Sequence, residues 1–215
     1  FLLILRLFVL QAIEVFYMRY CLFSLIPFIL FSVCRTYGQN DTIYLKAYNL
    51  KAVGKYVNGK EDGPWVYFYH NNQVQSKGNY SNGILTGLWV NWYNDGTKAA
   101  EGYYSNNLKD GEWKEWDNNG RILNIIVWNK GKKTGVVKEF DYVNNQEIKI
   151  AFFKEDSLDG AIIWQFLDGK KKLEGEYKMG LRCGLWTWYF PNGKIKSQGR
   201  FENGKEEGMH IWFDE

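Results

Sequence analysis

Aromatic residues and glycines recur along this chain at a spacing of about 24 residues, between short runs in which apolar and polar side chains alternate. Counted from each repeat start, position 3 is always aromatic, position 10 is always glycine, and position 12 is Trp in four repeats. The repeats start at Gly54, Gly78, Gly102, Ile126, Ala151, Gly175 and Gly199. Alternation over a few residues predicts β-strands, and a fixed period predicts a repeat architecture.

Turn-forming dipeptides separate these runs. Asp95-Gly96 and Asn192-Gly193 are typical of the set at positions 18 and 19, and Asn58-Gly59 of a second set near the repeat start. Such pairs tolerate positive φ at both turn centres, so we expect tight hairpins at both edges. The glycine at position 10 is expected where the backbone turns or makes a close approach, just before the Trp strand.

The predicted fold is all-β: an elongated, single-layer antiparallel sheet of seven hairpin repeats over residues 54–215. Two strands per repeat give thirteen or fourteen strands, and residues 39–53 are expected to form a linker and a cap strand. A single hairpin is marginal in water, so the repeats must stack to be stable. In the fourth and fifth repeats Val137 and Ile162 replace the Trp, and the fourth is one residue longer. We expect the sheet to bend or change character there.

The pattern G-x-Y-x-x-G-x-x-x-G-x-W-x-x-aromatic, followed by N-G, resembles the MORN repeat, and more closely its bacterial variant. The resemblance covers residues 54–215. It implies the elongated sheet, no enzymatic activity, and a role in scaffolding, protein contact or membrane-lipid contact. Some bacterial members of that family are labelled as antitoxin-like proteins, which fits an exported chain poorly.

Residues 1–38 are expected to be a signal segment, with Met18 as the natural start. Arg19 forms a short basic region, residues 21–33 form an apolar run of signal-peptide length, and Gly38 precedes the expected cleavage site. A lipoprotein acylated at Cys34 is one alternative, although Val33 fits a lipoprotein box poorly. An uncleaved membrane anchor is another, but the apolar run is short for a full span. The expected location is therefore periplasmic or extracellular.

The charge of the chain argues against nucleic acid as a partner. The formal net charge is +3, but without residues 1–38 the chain carries 24 basic and 23 acidic residues and has no basic stripe. Phosphate binding needs clustered Lys and Arg. The aromatic content of 18% is also far too high for a disordered chain.

The sequence contains no recognisable catalytic or metal-binding constellation. Its two histidines, His70 and His210, lie in the first and last repeats and are expected to be a turn residue and a strand residue. The carboxylates near position 10 (Glu61, Asp62, Asp110, Asp159, Glu206 and Glu207) are expected to be solvated loop residues. Cys183 is expected to be an inert loop thiol. We therefore predict no catalytic residue, no metal, no cofactor and no enzymatic activity.

Position 14 is the column that departs most from the needs of the repeat. It is polar in three of the first four repeats but holds Trp164, Trp188 and Trp212 in the last three. Because strand side chains alternate, positions 12 and 14 should share a face of the sheet. The three Trp residues are therefore the predicted partner-binding residues. The alternative is that they replace core lost at position 12, where Ile162 and His210 stand.

These features predict a non-enzymatic exported interaction module or scaffold, with a protein as the first choice of partner. Three large aromatic residues in a row form an apolar contact surface. The alternatives are an envelope protein that binds a glycan or a membrane lipid, and an antitoxin-like inhibitor of a partner protein.

Overall fold

The computed structural model describes residues 42–45 and 50–215, all of which belong to one antiparallel sheet and its turns. The predictions for residues 1–38 lie outside the described residues. Strands follow one another in the sheet in chain order, and each pairs with the next. The strands are β1 Thr42–Leu45, β2 Leu50–Val57, β3 Lys60–Phe68, β4 Val74–Ser81, β5 Ile84–Trp92, β6 Lys98–Ser105, β7 Leu108–Trp116, β8 Ile122–Asn129, β9 Lys132–Phe140, β10 Glu147–Lys154, β11 Ser157–Gln165, β12 Lys171–Lys178, β13 Leu181–Tyr189, β14 Ile195–Glu202 and β15 Lys205–Trp212. The predicted fold is confirmed.

The strands outside the first pair are of nearly constant length. β2 to β15 are eight or nine residues long, and β1, in the segment predicted to hold a cap strand, is four residues long and pairs with β2. Strands lie about 4.8 Å apart in a sheet, so fifteen strands span roughly 65 Å. No helix in the described part of the chain is long and apolar enough to cross a membrane.

The two edges of the sheet carry different turns. At one edge Asn58 and Gly59 have φ of 52° and 76°, which is the two-residue turn with positive φ at both centres. All seven turns at this edge have that form, including Glu155-Asp156, where neither residue is glycine. Successive turns are linked, as in the backbone bond from the Gly83 N–H to the Glu61 carbonyl (2.7 Å).

At the other edge the expectation of two-residue turns is wrong. Tyr93 donates its backbone N–H to the Thr97 carbonyl, and only Gly96 between them has positive φ. This is a three-residue loop, in which a type I turn is followed by one left-handed residue. The Asp95 carboxylate accepts the Thr97 N–H at 2.8 Å, which explains Asp or Asn at this position.

The extra residue of the fourth repeat lies in this second kind of turn. The Asp141 N–H donates to the Gln146 carbonyl, so the bonded pair that closes this loop encloses four residues instead of three. The pairing of β9 with β10 continues from Glu147–Phe140 to Phe153–Gly135. The insertion therefore lengthens one loop and leaves the ladder intact.

The glycine at position 10 lies within a strand, and not before it as expected. Gly63 is the fourth residue of β3 and has φ of +74°. The register between β2 and β3 shifts at this point, between the pairs Val53–Val66 and Lys55–Asp62. A bulge needs a left-handed residue in one strand, and glycine adopts that conformation without steric cost.

The core is a single row on one face of the sheet, formed by positions 12 and 1 of the repeats. Trp65 is 1% exposed and lies on the backbone of Gly54, where an added Cβ would stand 2.1 Å from the indole ring. Degenerate repeats change both members together: Ile126 is paired with Val137, and Ala151 with Ile162. All four of these residues are buried. In these repeats the side-chain volume is therefore divided between positions 1 and 12, and the row stays filled.

Candidate binding face

Three parallel rows of side chains cross the face that holds the core, which we call the Trp face. The middle row is the core row of positions 12 and 1. The position-14 row lies on the side of the three-residue loops, and the position-8 row lies on the side of the two-residue turns. Ring contacts place all three on one face: Trp65 stacks on Tyr67 of position 14 at 5.9 Å, and Lys109 of position 8 lies 4.2 Å from the centre of the Trp113 ring. The prediction that positions 12 and 14 share a face is confirmed.

The position-14 row is a continuous series of directly opposed residues across the sheet. It contains, in order, Ala52, Tyr67, Ser76, Asn91, Ala100, Glu115, Asn124, Glu139, Lys149, Trp164, Leu173, Trp188, Ser197 and Trp212. In the middle of the sheet it is polar, with the Lys149 ammonium 2.6 Å from a Glu139 oxygen. From Trp164 onward it is aromatic or aliphatic, except for the buried Ser197.

The three predicted Trp residues differ in their surroundings. Trp164 is 40% exposed and Trp212 is 68% exposed, so most of the surface of Trp212 faces solvent. Trp188 is half-buried and packs against the cluster of Ala151, Ile162 and Trp186. Packing therefore accounts for Trp188, whereas it leaves the exposed area of Trp164 and Trp212 without a structural role.

Trp164 also borders a shallow cavity of about 310 Å³ beside the loop between β11 and β12. The Lys149 ammonium lies 5.5 Å from the centre of the Trp164 ring, and Glu139, Phe166 and Leu167 complete the near wall. An aromatic ring beside an ion pair offers both apolar area and hydrogen-bonding groups to a ligand.

His210 occupies the core row where four other repeats have Trp, and it belongs to a stack that the sequence did not reveal. Its ring lies 5.3 Å from Trp188 and 4.8 Å from Trp212, with interplanar angles of 29° and 18°. Its Nδ1 contacts the Glu206 carboxylate. The three rings form one continuous aromatic surface at the last described strands.

The position-8 row carries cations that lie over aromatic rings. Lys109 lies 4.2 Å from the Trp113 ring centre and 5.0 Å from that of Trp128, and Lys133 lies 5.8 Å from Trp128. Arg182 lies 4.6 Å from Trp186. Burial lowers the pKa of Lys109, and the charge of Lys133 lowers it further, whereas Glu115 acts in the opposite direction.

These cations were missed because position 8 varies among Glu, Leu, Lys and Arg, as an exposed loop would. The signal that could have found them is parity, since positions 8, 12 and 14 all fall on the same side of an alternating strand. The carboxylates that were expected in loops also lie in strands. Asp62, in β3, accepts the Asn82 backbone N–H at 3.1 Å. Asp110, in β7, accepts that of Lys130 at 3.2 Å.

The remaining candidates for chemistry are dispersed. His70 lies in an exposed turn and His210 in β15, as expected. Cys183 is a half-buried free thiol in β13, so the expectation of a loop position is wrong. Within residues 42–45 and 50–215, no group of three or more His, Cys, Asp or Glu side chains could hold a metal ion.

The reverse face of the sheet is mixed in character. Lys114 and Glu112 form an ion pair there at 3.2 Å, and Lys138 and Glu147 form another at 2.7 Å. Tyr103 and Phe152 are exposed on this face, at 55% and 39%. Paired charged residues are therefore interspersed with apolar ones on this face, which also holds the aromatic residues of position 15, such as Phe68, Trp92 and Trp116.

Comparison with known proteins identifies the repeat. The family model of the MORN repeat variant matches residues 61–82, 109–130 and 182–203. The three matches coincide with the hairpins β3–β4, β7–β8 and β13–β14. The chain therefore contains MORN repeats of this variant type, and MORN repeats commonly serve as modules that contact proteins or membranes.

The other comparisons show distant likeness only. A crystal structure of a TarM mutant from S. aureus, in complex with fondaparinux, α-GlcNAc-glycerol and UDP, is 19% identical, with a TM-score of 0.32 over 45% of this chain. A second TarM crystal structure is 20% identical, with a TM-score of 0.32 over 46% of this chain. The chain spans 19% of the length of either of these solved chains. No curated protein matches the sequence.

Proposed function

We propose that this chain is an exported, non-enzymatic interaction module that binds a protein partner through the aromatic end of its position-14 row. The observation that carries the proposal is the exposure of Trp164 and Trp212, at 40% and 68%. Burying a large aromatic side chain at an interface contributes strongly to affinity, and Trp is the residue most enriched among binding hot spots.

The row has the dimensions of a protein contact. Trp164, Leu173, Trp188, Ser197 and Trp212 are directly opposed on five successive strands. At about 4.8 Å per strand, the row is roughly 20 Å long. This length exceeds a single small ligand and suits an apolar ridge or an extended segment of a partner.

The experiment is a pull-down from envelope extract with the chain as bait, followed by reconstitution with the purified partner. The test variant is Trp164→Ala with Trp212→Ala, which leaves the packed Trp188 in place. The matched control is Tyr103→Ala with Phe152→Ala, which removes two exposed aromatic rings from the reverse face. We expect the test variant to lose the partner and the control to retain it. Equal retention by both would refute the proposed face.

Export needs its own experiment. The basis of this part of the proposal is the sequence pattern of residues 18–38, which lie outside the described residues. The full chain with a C-terminal tag should appear in the periplasm or medium, shortened at a site near Gly38. Retention of an acyl group that Cys34→Ser removes would favour the lipoprotein instead. A tag that stays in the cytoplasm would refute export and favour an antitoxin-like role.

A further inference from the structure

Two lysines of the Trp face hold positive charge on either side of one indole ring. Lys109 lies 5.0 Å and Lys133 5.8 Å from the centre of the Trp128 ring. Each ammonium group also lies over a second ring. Lys109 lies 4.2 Å from the centre of the Trp113 ring, and Lys133 lies 5.8 Å from that of Phe153. Strand pairing positions both lysines, because Lys133 is directly opposite Trp128 and Lys109 is directly opposite Tyr104.

Nothing in the described chain compensates this charge closely. Lys133 has no carboxylate within 4.0 Å among the described residues, and the Lys109 ammonium reaches only Glu115, at the limit of 4.0 Å. Lys109 is also partly withdrawn from water, because its side chain is 30% exposed, and burial lowers its pKa. Two partly desolvated like charges next to each other are unfavourable, and an anion placed between them would relieve that cost.

Lysines on the reverse face of the same strands behave differently. Lys114 in β7 is paired with Glu112 at 3.2 Å, and Lys138 in β9 is paired with Glu147 at 2.7 Å. The uncompensated positive charge of β7 and β9 is therefore confined to the Trp face. This asymmetry is not required by the repeat, because position 8 is Glu or Leu in four of the seven copies.

The lysine pair and the aromatic end of the position-14 row are within reach of one extended segment. Lys133 in β9 and Trp164 in β11 are two strands apart, and positions 8 and 14 are six residues apart along a strand. At about 4.8 Å per strand and 3.3 Å per residue, the two sites are roughly 20 Å apart. An extended chain of about six residues covers that distance.

The face as a whole does not suit a flat anionic surface such as a lipid bilayer. Glu61, Glu115, Glu139 and Glu206 stand on the same face, in the position-8 and position-14 rows. A bilayer would meet these carboxylates at the same time as the lysines. A narrow segment can place one or two carboxylates at the lysine pair and pass beside the glutamates.

We propose that the partner contributes an extended peptide segment with acidic residues at one end, bound at Lys109 and Lys133, and apolar residues at the other, bound at Trp164 and Trp212. The inference rests on the proposed function and specifies the partner chemistry of that same face. It also fixes the orientation of the segment, with its acidic end over β7 to β9 and its apolar end over β11 to β15.

The test uses a fluorescent synthetic peptide of about ten residues, with glutamates in one half and Leu and Phe in the other. A second peptide has the glutamates replaced by lysines, and vesicles of phosphatidylcholine with phosphatidylserine serve as the lipid probe. Fluorescence anisotropy is measured on the full chain, on Lys109→Gln with Lys133→Gln, and on the control Lys114→Gln with Lys138→Gln. Glutamine removes the charge and keeps the inner part of the aliphatic stem.

We expect the acidic peptide to bind the unmodified chain, to bind the Lys109 and Lys133 variant about tenfold more weakly, and to bind the control within about twofold. Added salt should weaken binding of the acidic peptide to the unmodified chain, and this test requires no variant. Equal binding of both peptides, binding of neither, or binding of the anionic vesicles alone would overturn the inference. A natural partner lost with Trp164→Ala and Trp212→Ala but retained by the lysine variant would also overturn it, while the proposed function would stand.

Discussion

Trp113 lies with its indole ring on the backbone of Gly102, so close that a Cβ at residue 102 would stand 2.3 Å from the ring. The two residues are eleven positions apart in the sequence and lie in the adjacent strands β6 and β7, both in the core row. The same contact recurs at Gly54 with Trp65, at Gly78 with Trp89 and at Gly175 with Trp186. The missing side chain of the glycine at position 1 therefore leaves the space that the Trp of position 12 fills.

The first prediction follows from that contact. Gly102→Ala should lower the free energy of unfolding by about 1–3 kcal/mol, because the added methyl group displaces a ring that has no room to move. Trp113→Ile alone should cost at least about 3 kcal/mol, because it leaves a cavity. Urea unfolding followed by circular dichroism measures both.

The double variant is the decisive control, because it recreates the Ala151–Ile162 pair of the fifth repeat. We expect its cost to fall short of the sum of the two single variants by at least about 1 kcal/mol. Strict additivity would contradict the account of the degenerate repeats as volume-conserving exchanges.

Most of this fold could be predicted from the sequence, because the columns that set it are visible one repeat at a time. The aromatic residue at position 3 and the Trp at position 12 meet edge to face, as Tyr56 and Trp65 do at 5.1 Å and 82°. Each repeat makes the same packing contacts, so the pattern recurs several times within a single chain.

The turns were harder to predict, because the same dipeptide occurs in both kinds. Asn58-Gly59 has positive φ at both residues, whereas in Asn192-Gly193 only the glycine does. The difference depends on which residues of the flanking strands are hydrogen-bonded to each other, and this register is not written in the dipeptide. The binding residues were partly hidden for a similar reason. The stack of His210 on Trp212 joins positions 12 and 14, which hold different residues in most of the other repeats.

The second prediction concerns Met179, which has φ of +48° in a two-residue turn. Three of the other six turns at this edge have Asn followed by Gly at the same place, as in Asn203-Gly204. Met179→Asn should raise the free energy of unfolding by about 0.5–1 kcal/mol, because Asn tolerates the left-handed conformation better. Met179 is 73% exposed, so little packing is lost. Met179→Ala is the control, and an equal gain from Ala would show that the backbone conformation is not the cause.

The third prediction is a dependence of stability on alkaline pH. The Tyr189 hydroxyl donates to the Glu174 carboxylate, which also accepts a bond from the Lys171 ammonium at 2.7 Å. Burial, and then the Glu174 carboxylate, raise the pKa of Tyr189 to about 12. The bonds from Lys171 and Tyr189 lower the pKa of Glu174.

The sign of the effect follows from these directions. A tyrosine whose pKa is raised in the folded state stabilises it fully below its unfolded pKa of about 10, and that contribution is lost as the pH rises toward about 12. The contribution of Glu174 is present above its unfolded pKa of about 4.3 and is lost as the pH falls. The urea midpoint of the unmodified chain should therefore fall more steeply above about pH 10 than that of Tyr189→Phe. Tyr142→Phe, at a residue 66% exposed, is the control and should follow the unmodified chain.

The last prediction separates packing from binding within the position-14 row. Trp188 lies 6.1 Å from the Trp186 ring, 6.4 Å from Phe201 and 5.3 Å from His210, so Trp188→Ala should cost about 2–3 kcal/mol of unfolding free energy. Trp164→Ala and Trp212→Ala should each cost no more than about 1 kcal/mol, because these rings are exposed and lose mainly one cation–π or one stacking contact. Urea unfolding of the three single variants decides between the two roles. A cost for Trp212→Ala as large as that for Trp188→Ala would make the whole row part of the core, and the exposed rings would then no longer support a binding face.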